Sequence, residues 1–170
     1  MTAKEGEFII KSLFENKKIV RSMYPTRAVH PTFSEYKTGD YYKIHEDNPL
    51  QAGIRADISY TIMLSTPEDY DGGELSIGEA DSAKALRLPL GSIILYDSGT
   101  PHEVLPVTKG IRRVAVGWIQ SVVRSAQARK TLNLFYNSLE SIENRIGVND
   151  PAFISLNRIR IQLMRDWAEI

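Results

Sequence analysis

The sequence holds three histidines, His30, His45 and His102, and no cysteine, so a transition metal bound here would have few nitrogen ligands and no sulfur ligands to draw on. Asp47 follows His45 by two residues. In an extended chain, residues i and i+2 face the same side, so the imidazole and carboxylate of His45-Glu46-Asp47 converge while Glu46 turns away. A second histidine from a distant strand would complete a set of two His and one carboxylate, which leaves coordination positions open for a co-substrate and dioxygen. His102 is the candidate, because it follows the turn Asp97 to Pro101 at the point where the chain enters another strand. His30 precedes Pro31 and has no carboxylate two residues away, so it is expected to be structural or exposed. On spacing alone, His-x-Asp is a common surface pair and an arginine on a strand is commonly solvated. Arg112, ten residues beyond His102, strengthens the metal reading, because a buried guanidinium recognises a carboxylate bidentately.

These residues must be positioned mostly by short strands. Extended runs are expected over Ile58–Leu64, Glu74–Ile77, Ala85–Leu88, Ser92–Tyr96 and Ile111–Ile119. Turn signals part them: Pro67 with Asp69 and Asp71, Gly72-Gly73, Pro89 with Gly91, Gly99 with Pro101, and Lys109-Gly110. Closely spaced short strands imply a barrel, sandwich or jelly roll. Along Ile111–Ile119 the parity places Arg112, Val114, Val116 and Trp118 on one face and Arg113, Ala115, Gly117 and Ile119 on the other, and the first face carries the larger side chains. Between Met23 and Asn48, Pro25, Pro31 and Gly39 break the chain into extended pieces. The stretch from Asn48 to Arg55, with Pro49 and Gly53, reads as a lid loop beside two of the ligands.

Helices are expected at both ends. Ile10, Leu13 and Phe14 give a helical stripe within Glu5–Lys18. Leu132, Phe135, Leu139, Ile142 and Ile146 give another, with Ser125 available as N-cap. A last helix starts at Asp150-Pro151 and carries Phe153, Leu156, Leu163 and Trp167 on one side.

The 170 residues fit one domain. Apolar residues make up 42% and charged residues 25%, and no apolar run is long enough for a transmembrane helix, so no membrane partner is expected. Lysine plus arginine and aspartate plus glutamate both number 21, and that balance argues against nucleic acid as a partner. The absence of cysteine excludes disulfides and a thiol nucleophile, and suits a reducing compartment. The N-terminus lacks a basic segment followed by an apolar run, so the expected location is cytoplasmic.

Several segments resemble the PKHD-type hydroxylases, within the prolyl-4-hydroxylase-like group of Fe(II)- and 2-oxoglutarate-dependent oxygenases. They are Tyr36 through Gly39 to His45-Glu46-Asp47-Asn48, the Arg-x-Asp-hydrophobic-Ser strand at Arg55–Ser59, and PEDYDGGEL at Pro67–Leu75. Pro101-His102, PVTKGIRRVAVGWIQS at Pro106–Ser121 and the terminal LMRDWAE complete the likeness, which runs from about Ile9 to the end. The resemblance implies a double-stranded β-helix, a cupin-like jelly roll, over about 20–120, with helices flanking it at the N-terminus and over 125–170. It makes His45, Asp47 and His102 the iron ligands, with no catalytic residue beyond the metal centre. Arg112 becomes the partner of the distal 2-oxoglutarate carboxylate, and Tyr36 a second group on it. Leu75 and Trp118 fall on pocket-lining positions, for which plain β-core packing is the other reading. The implied cofactors are Fe(II), 2-oxoglutarate and O2, with L-ascorbate as an accessory. The implied substrate is a prolyl or other side chain in a peptide or protein. The rivals are a cupin-type metal protein without 2-oxoglutarate, a non-catalytic jelly-roll binding module, and an oxygenase of small metabolites or nucleobases. Two departures stand out: the family pattern includes a segment ahead of the Glu5–Lys18 helix, and it carries one arginine where this chain has Arg112-Arg113.

Overall fold

Strand follows strand from β1 (Pro25–Ala28) to β12 (Val107–Ser121) in the computed structural model, which describes residues 3–79 and 81–169. Contacts divide the chain into two units, residues 1–11 with 27–120 and residues 12–26 with 121–170.

In the first unit β12 is the organising strand. It pairs antiparallel with β2 (Thr32–Lys37), β6 (Ile58–Met63) and β7 (Tyr70–Gly72), and β10 (Ile93–Asp97) extends the sheet from β6. A second sheet has the order β3 (Tyr42–His45), β11 (His102–Val104), β8 (Leu75–Ile77), β9 (Lys84–Leu86). β4 (Leu50–Gln51) and β5 (Ile54–Arg55) form a small hairpin. One cavity is lined by side chains from both larger sheets, the arrangement of a jelly roll. β6 is covered on both faces, with Ile58, Ser59, Tyr60, Thr61 and Met63 all buried, so it reads as a continuous run and not as an alternation. Two apolar clusters hold the unit together, Met63, Tyr70, Val107 and Val114 in one and Leu75, Ile94 and Val104 in the other, and Tyr36 packs against both.

The second unit is helical. α3 (Ala126–Ile146) is capped by Ser125, whose hydroxyl accepts from Ala128 N, and α4 (Pro151–Trp167) by Asp150, which accepts from Ala152 N, as the capping residues predicted. Leu163, Met164 and Trp167 of α4 pack on Val123, Ala128 and Leu132. No helix among the described residues is long and apolar enough to cross a membrane.

The structure departs from the sequence reading at four places. The expected helix Glu5–Lys18 is two helices, α1 (Ala3–Glu15) and α2 (Lys17–Met23). Asn16 parts them by turning its side-chain oxygen onto Lys18 N and Ile19 N, which caps α2. Residues 70–72, expected as part of a turn, are β7. Lys109-Gly110, also expected as a turn, lies inside β12, paired with Asp71 and Tyr70 of β7 just past a register shift between Val107 and Lys109. The expected lid loop is the β4–β5 hairpin, with Ile54 buried.

Candidate metal and co-substrate site

Antiparallel pairing of β3 with β11 sets His45 and His102 opposite each other, with ring centroids 4.2 Å apart. Asp47 lies two residues past His45, and its backbone N–H donates to Ser98 O at 3.2 Å. Each imidazole uses Nδ1 on the carbonyl two residues before it, His45 on Lys43 O at 2.8 Å and His102 on Thr100 O at 2.9 Å. A carbonyl only accepts, so Nδ1 carries the proton and the Nε2 lone pairs are free for a metal. Both Nε2 atoms face Asp47, at 3.9 Å from Oδ1 for His45 and 3.8 Å from Oδ2 for His102. Those separations are too long for hydrogen bonds. One donor atom from each residue lies within 4.8 Å of the others, which suits three ligands around one shared cation.

The carboxylate is held from behind. Ser59 Oγ donates to Asp47 Oδ2 at 2.5 Å and shares a 2.8 Å hydrogen bond with Ser98 Oγ. This support fixes which way the carboxylate faces.

The three residues open on a cavity of about 230 Å³ whose lining also includes Tyr36, Leu75, Arg112 and Trp118. Arg112 is 1% exposed, and none of its guanidinium nitrogens has a hydrogen-bond partner among the described residues. Burial lowers its pKa from the ordinary value, and the phenols of Tyr70, Tyr36 and Tyr96 oppose that shift. A buried cation without a counterion is costly, so this side chain calls for an anion. Tyr36 is its register partner on β2 and stacks against it, 5.2 Å from guanidinium carbon to ring centroid. Arg113 turns the other way and donates from Nε to Glu35 Oε2 at 2.8 Å, half exposed. Val114, Val116 and Trp118 line the cavity with Arg112. Ala115 and Ile119, on the opposite face, are fully buried, and Gly117 of that face, which has no side chain, also borders the cavity. Leu75 lines the cavity and also belongs to the apolar core, so its two expected roles coexist. The indole N–H of Trp118 is enclosed without a hydrogen-bond partner among the described residues.

His30 is exposed and apart from the cluster. Its Nε2 meets Ala3 O at 3.2 Å, and its ring lies so close to α1 that a Cβ at Gly6 would fall 2.0 Å from it. Reading the sequence for function passed over Ser59, Ser98, Tyr42 and Tyr96. Tyr42 packs edge-on to His45 at 4.5 Å and Tyr96 to His102 at 4.9 Å. Burial, with the Asp47 carboxylate beside it, raises the Tyr96 hydroxyl far above its usual pKa and keeps it neutral. Ser59 did leave a signal, a polar residue inside an otherwise apolar run, since a buried hydroxyl requires a partner.

Residues 31–120 match the 2OG-Fe(II) oxygenase superfamily. Over 171 residues the chain is 36% identical to a PKHD-type hydroxylase of Phenylobacterium zucineum, covering 97% of this chain and 75% of that one. It is 40% identical over 163 residues to a PKHD-type hydroxylase of Gloeothece citriformis, covering 93% and 72%. Among solved structures it is similar to a Pseudomonas putida prolyl-4-hydroxylase, at 26% identity and a TM-score of 0.50 over 61% of this chain and 59% of that one. It also shares the fold of a Burkholderia pseudomallei oxidoreductase of the 2OG-Fe(II) oxygenase family, at 20% identity and a TM-score of 0.52 over 66% and 55%. The chain thus spans a little over half the length of these two solved chains and about three quarters of the curated relatives.

Proposed function

Because this chain belongs to the 2OG-Fe(II) oxygenase superfamily, as a 2-oxoglutarate-dependent hydroxylase of the PKHD type, we propose that His45, Asp47 and His102 hold the Fe(II) and that Arg112 anchors the distal carboxylate of 2-oxoglutarate. The observation that carries the second assignment is the buried guanidinium without a partner in the cavity beside the triad. Bound there, Fe(II) with 2-oxoglutarate and O2 supplies the oxidising power that turns a C–H bond into C–OH while 2-oxoglutarate leaves as succinate and CO2.

The chain's own residues do the positioning. The two Nδ1–H groups, tied to backbone carbonyls, present Nε2 to the metal, and Ser59 keeps Asp47 turned toward the same point. Arg112 sets how far the co-substrate reaches, with Tyr36 beside the same carboxylate. Leu75 and Trp118 wall the cavity and limit water around the reacting centre.

The substrate we propose is a prolyl or other side chain in a peptide or protein. The likeness to the Pseudomonas prolyl-4-hydroxylase supports it, and so does a half-exposed edge of the site at Tyr42 and His45. A single domain working in the cytoplasm fits the cysteine-free composition. The test is aerobic incubation with Fe(II) and 2-oxoglutarate while succinate is measured, with proline-containing peptides added in turn. Succinate release stimulated by a peptide, together with a 16 Da gain in that peptide, is the expected result. Metal binding with no 2-oxoglutarate turnover would return the chain to the cupin-type reading.

A further inference from the structure

Two of the three candidate ligands lean on one turn. Residues 97–100 lead from β10 to β11, closed by a hydrogen bond from Thr100 N to Asp97 O at 2.8 Å. Thr100 O accepts from Nδ1 of His102 at 2.9 Å, and Ser98 O accepts from the backbone N–H of Asp47 at 3.2 Å. Ser98 also reaches the other end of Asp47 through Ser59, whose Oγ lies 2.8 Å from Ser98 Oγ and 2.5 Å from Asp47 Oδ2. Both serines are buried, Ser59 at 1% and Ser98 at 2% exposure, and the Ser98 hydroxyl finds no other partner among the described residues.

The direction of these bonds follows from what each group can give. An ionised carboxylate only accepts, and a serine hydroxyl has one hydrogen to donate. The 2.5 Å contact uses the hydrogen of Ser59, so the hydrogen between the two serines comes from Ser98. The order is therefore Ser98 to Ser59 to Asp47 Oδ2, and each bond polarises the next. Without Ser98, the oxygen of Ser59 would lose its only donor in a buried place, and nothing would keep that side chain in the rotamer that points at Oδ2. We propose that Ser98 is a positioning residue of the metal site: its hydroxyl holds Ser59 on Oδ2 and so fixes the Asp47 carboxylate without touching it. The proposal rests on the assignment of Asp47 as a metal ligand made above.

The test is a double-mutant cycle read as Mn(II) affinity by calorimetry. It uses Ser59→Ala, Ser98→Ala, the two together and Asp47→Ala, each at a temperature where circular dichroism shows it folded. Alanine at position 98 keeps the backbone contact with Asp47 N–H, so only the hydroxyl is removed. Ser59→Ala is expected to weaken Mn(II) about tenfold or more, the effect of losing a group hydrogen-bonded to a metal ligand. Ser98→Ala should weaken it about threefold to tenfold, the size of one neutral hydrogen bond, and should change it by less than about twofold once Ser59 is alanine. A Ser98 that merely packs the turn would alter melting and leave no such dependence on Ser59. Unchanged Mn(II) affinity in Ser98→Ala, or the same loss with and without Ser59, would overturn the proposal. Should Ser98→Ala not fold, Ser98→Cys, close in volume and a weaker donor, takes its place in the cycle under the same two criteria. If Asp47→Ala binds Mn(II) as tightly as the unmodified chain, the ligand assignment fails and this proposal falls with it. A loss in Asp47→Ala with none in Ser98→Ala sinks the role of Ser98 alone.

Discussion

At Arg112 the guanidinium is enclosed without an acidic partner or acceptor within hydrogen-bond distance among the described residues, while its neighbour Arg113 reaches Glu35 at the surface. The two differ because adjacent strand residues point to opposite faces. Removing one partner of a buried, hydrogen-bonded charge pair costs about 2–5 kcal/mol, or roughly thirtyfold to several-thousandfold in affinity. Arg112→Met is therefore expected to raise the 2-oxoglutarate concentration needed for half-saturation by at least about tenfold, with Mn(II) affinity nearly unchanged. Arg113→Met removes only a half-exposed ion pair, which typically contributes about 0.2–1 kcal/mol, and should leave 2-oxoglutarate binding within about twofold. Titrating both ligands into both variants checks this, and a reversed pair of results would mean the inward face of β12 has been misassigned.

At the scale of the elements, β12 is where turn chemistry and strand geometry meet. Gly110 has φ of +76°, and a Cβ there would fall 2.1 Å from Asp69 O, so only glycine lets β12 pair with Tyr70 of β7 at this position. Gly39 has φ of +95° with nothing within 4 Å. Gly39→Ala should cost about 1–2 kcal/mol of backbone strain, whereas Gly110→Ala adds a backbone collision and should cost about 3 kcal/mol or more. At roughly 2–4 °C per kcal/mol for a chain of this size, thermal melting separates the two variants. Equal melting temperatures would show that β12 can shift at no cost. Gly110 also explains why part of the fold was hard to read. Glycine pairs and Asp-rich stretches signal turns locally, but β7 and the start of β12 are strands because a distant partner supplies their hydrogen bonds. Asn16 shows the reverse case: the apolar spacing of Ile10, Leu13 and Phe14 predicts a helix, and no periodicity marks where a side-chain cap will break it. The Arg112/Trp118 parity was legible because it depends only on the two-residue period of β12, whereas Asp47 lies just past the end of β3 and is also placed by its bonds to Ser98 and Ser59. Tyr96 and Ser98 were not legible, because what makes them notable is a neighbour far away in sequence.

At the scale of the whole molecule, His45 and His102 come from paired strands of one sheet, Asp47 from the chain just past the end of β3, and Arg112, the proposed co-substrate anchor, from the other sheet, all within residues 27–120. Ligand occupancy should therefore register as stability of the fold. A ligand bound only by the folded chain stabilises it by about 2.7 kcal/mol at a hundredfold excess over its dissociation constant, which for a chain of this length is roughly 5–11 °C in melting temperature. Mn(II) at that excess should raise the melting temperature by that amount, and 2-oxoglutarate added to the Mn(II) form should raise it by a similar further step. If the metal held by His45, Asp47 and His102 supplies part of the co-substrate's binding, as proposed, 2-oxoglutarate without Mn(II) should move the transition far less. His102→Ala removes a ligand and should abolish both steps, His30→Ala should keep both, and Arg112→Met should keep the first and lose most of the second. This order separates the proposed function from its main rival. A cupin-type metal protein without a co-substrate would show the Mn(II) step in the unmodified chain and no second step, and the unpartnered guanidinium of Arg112 would then need a different anion.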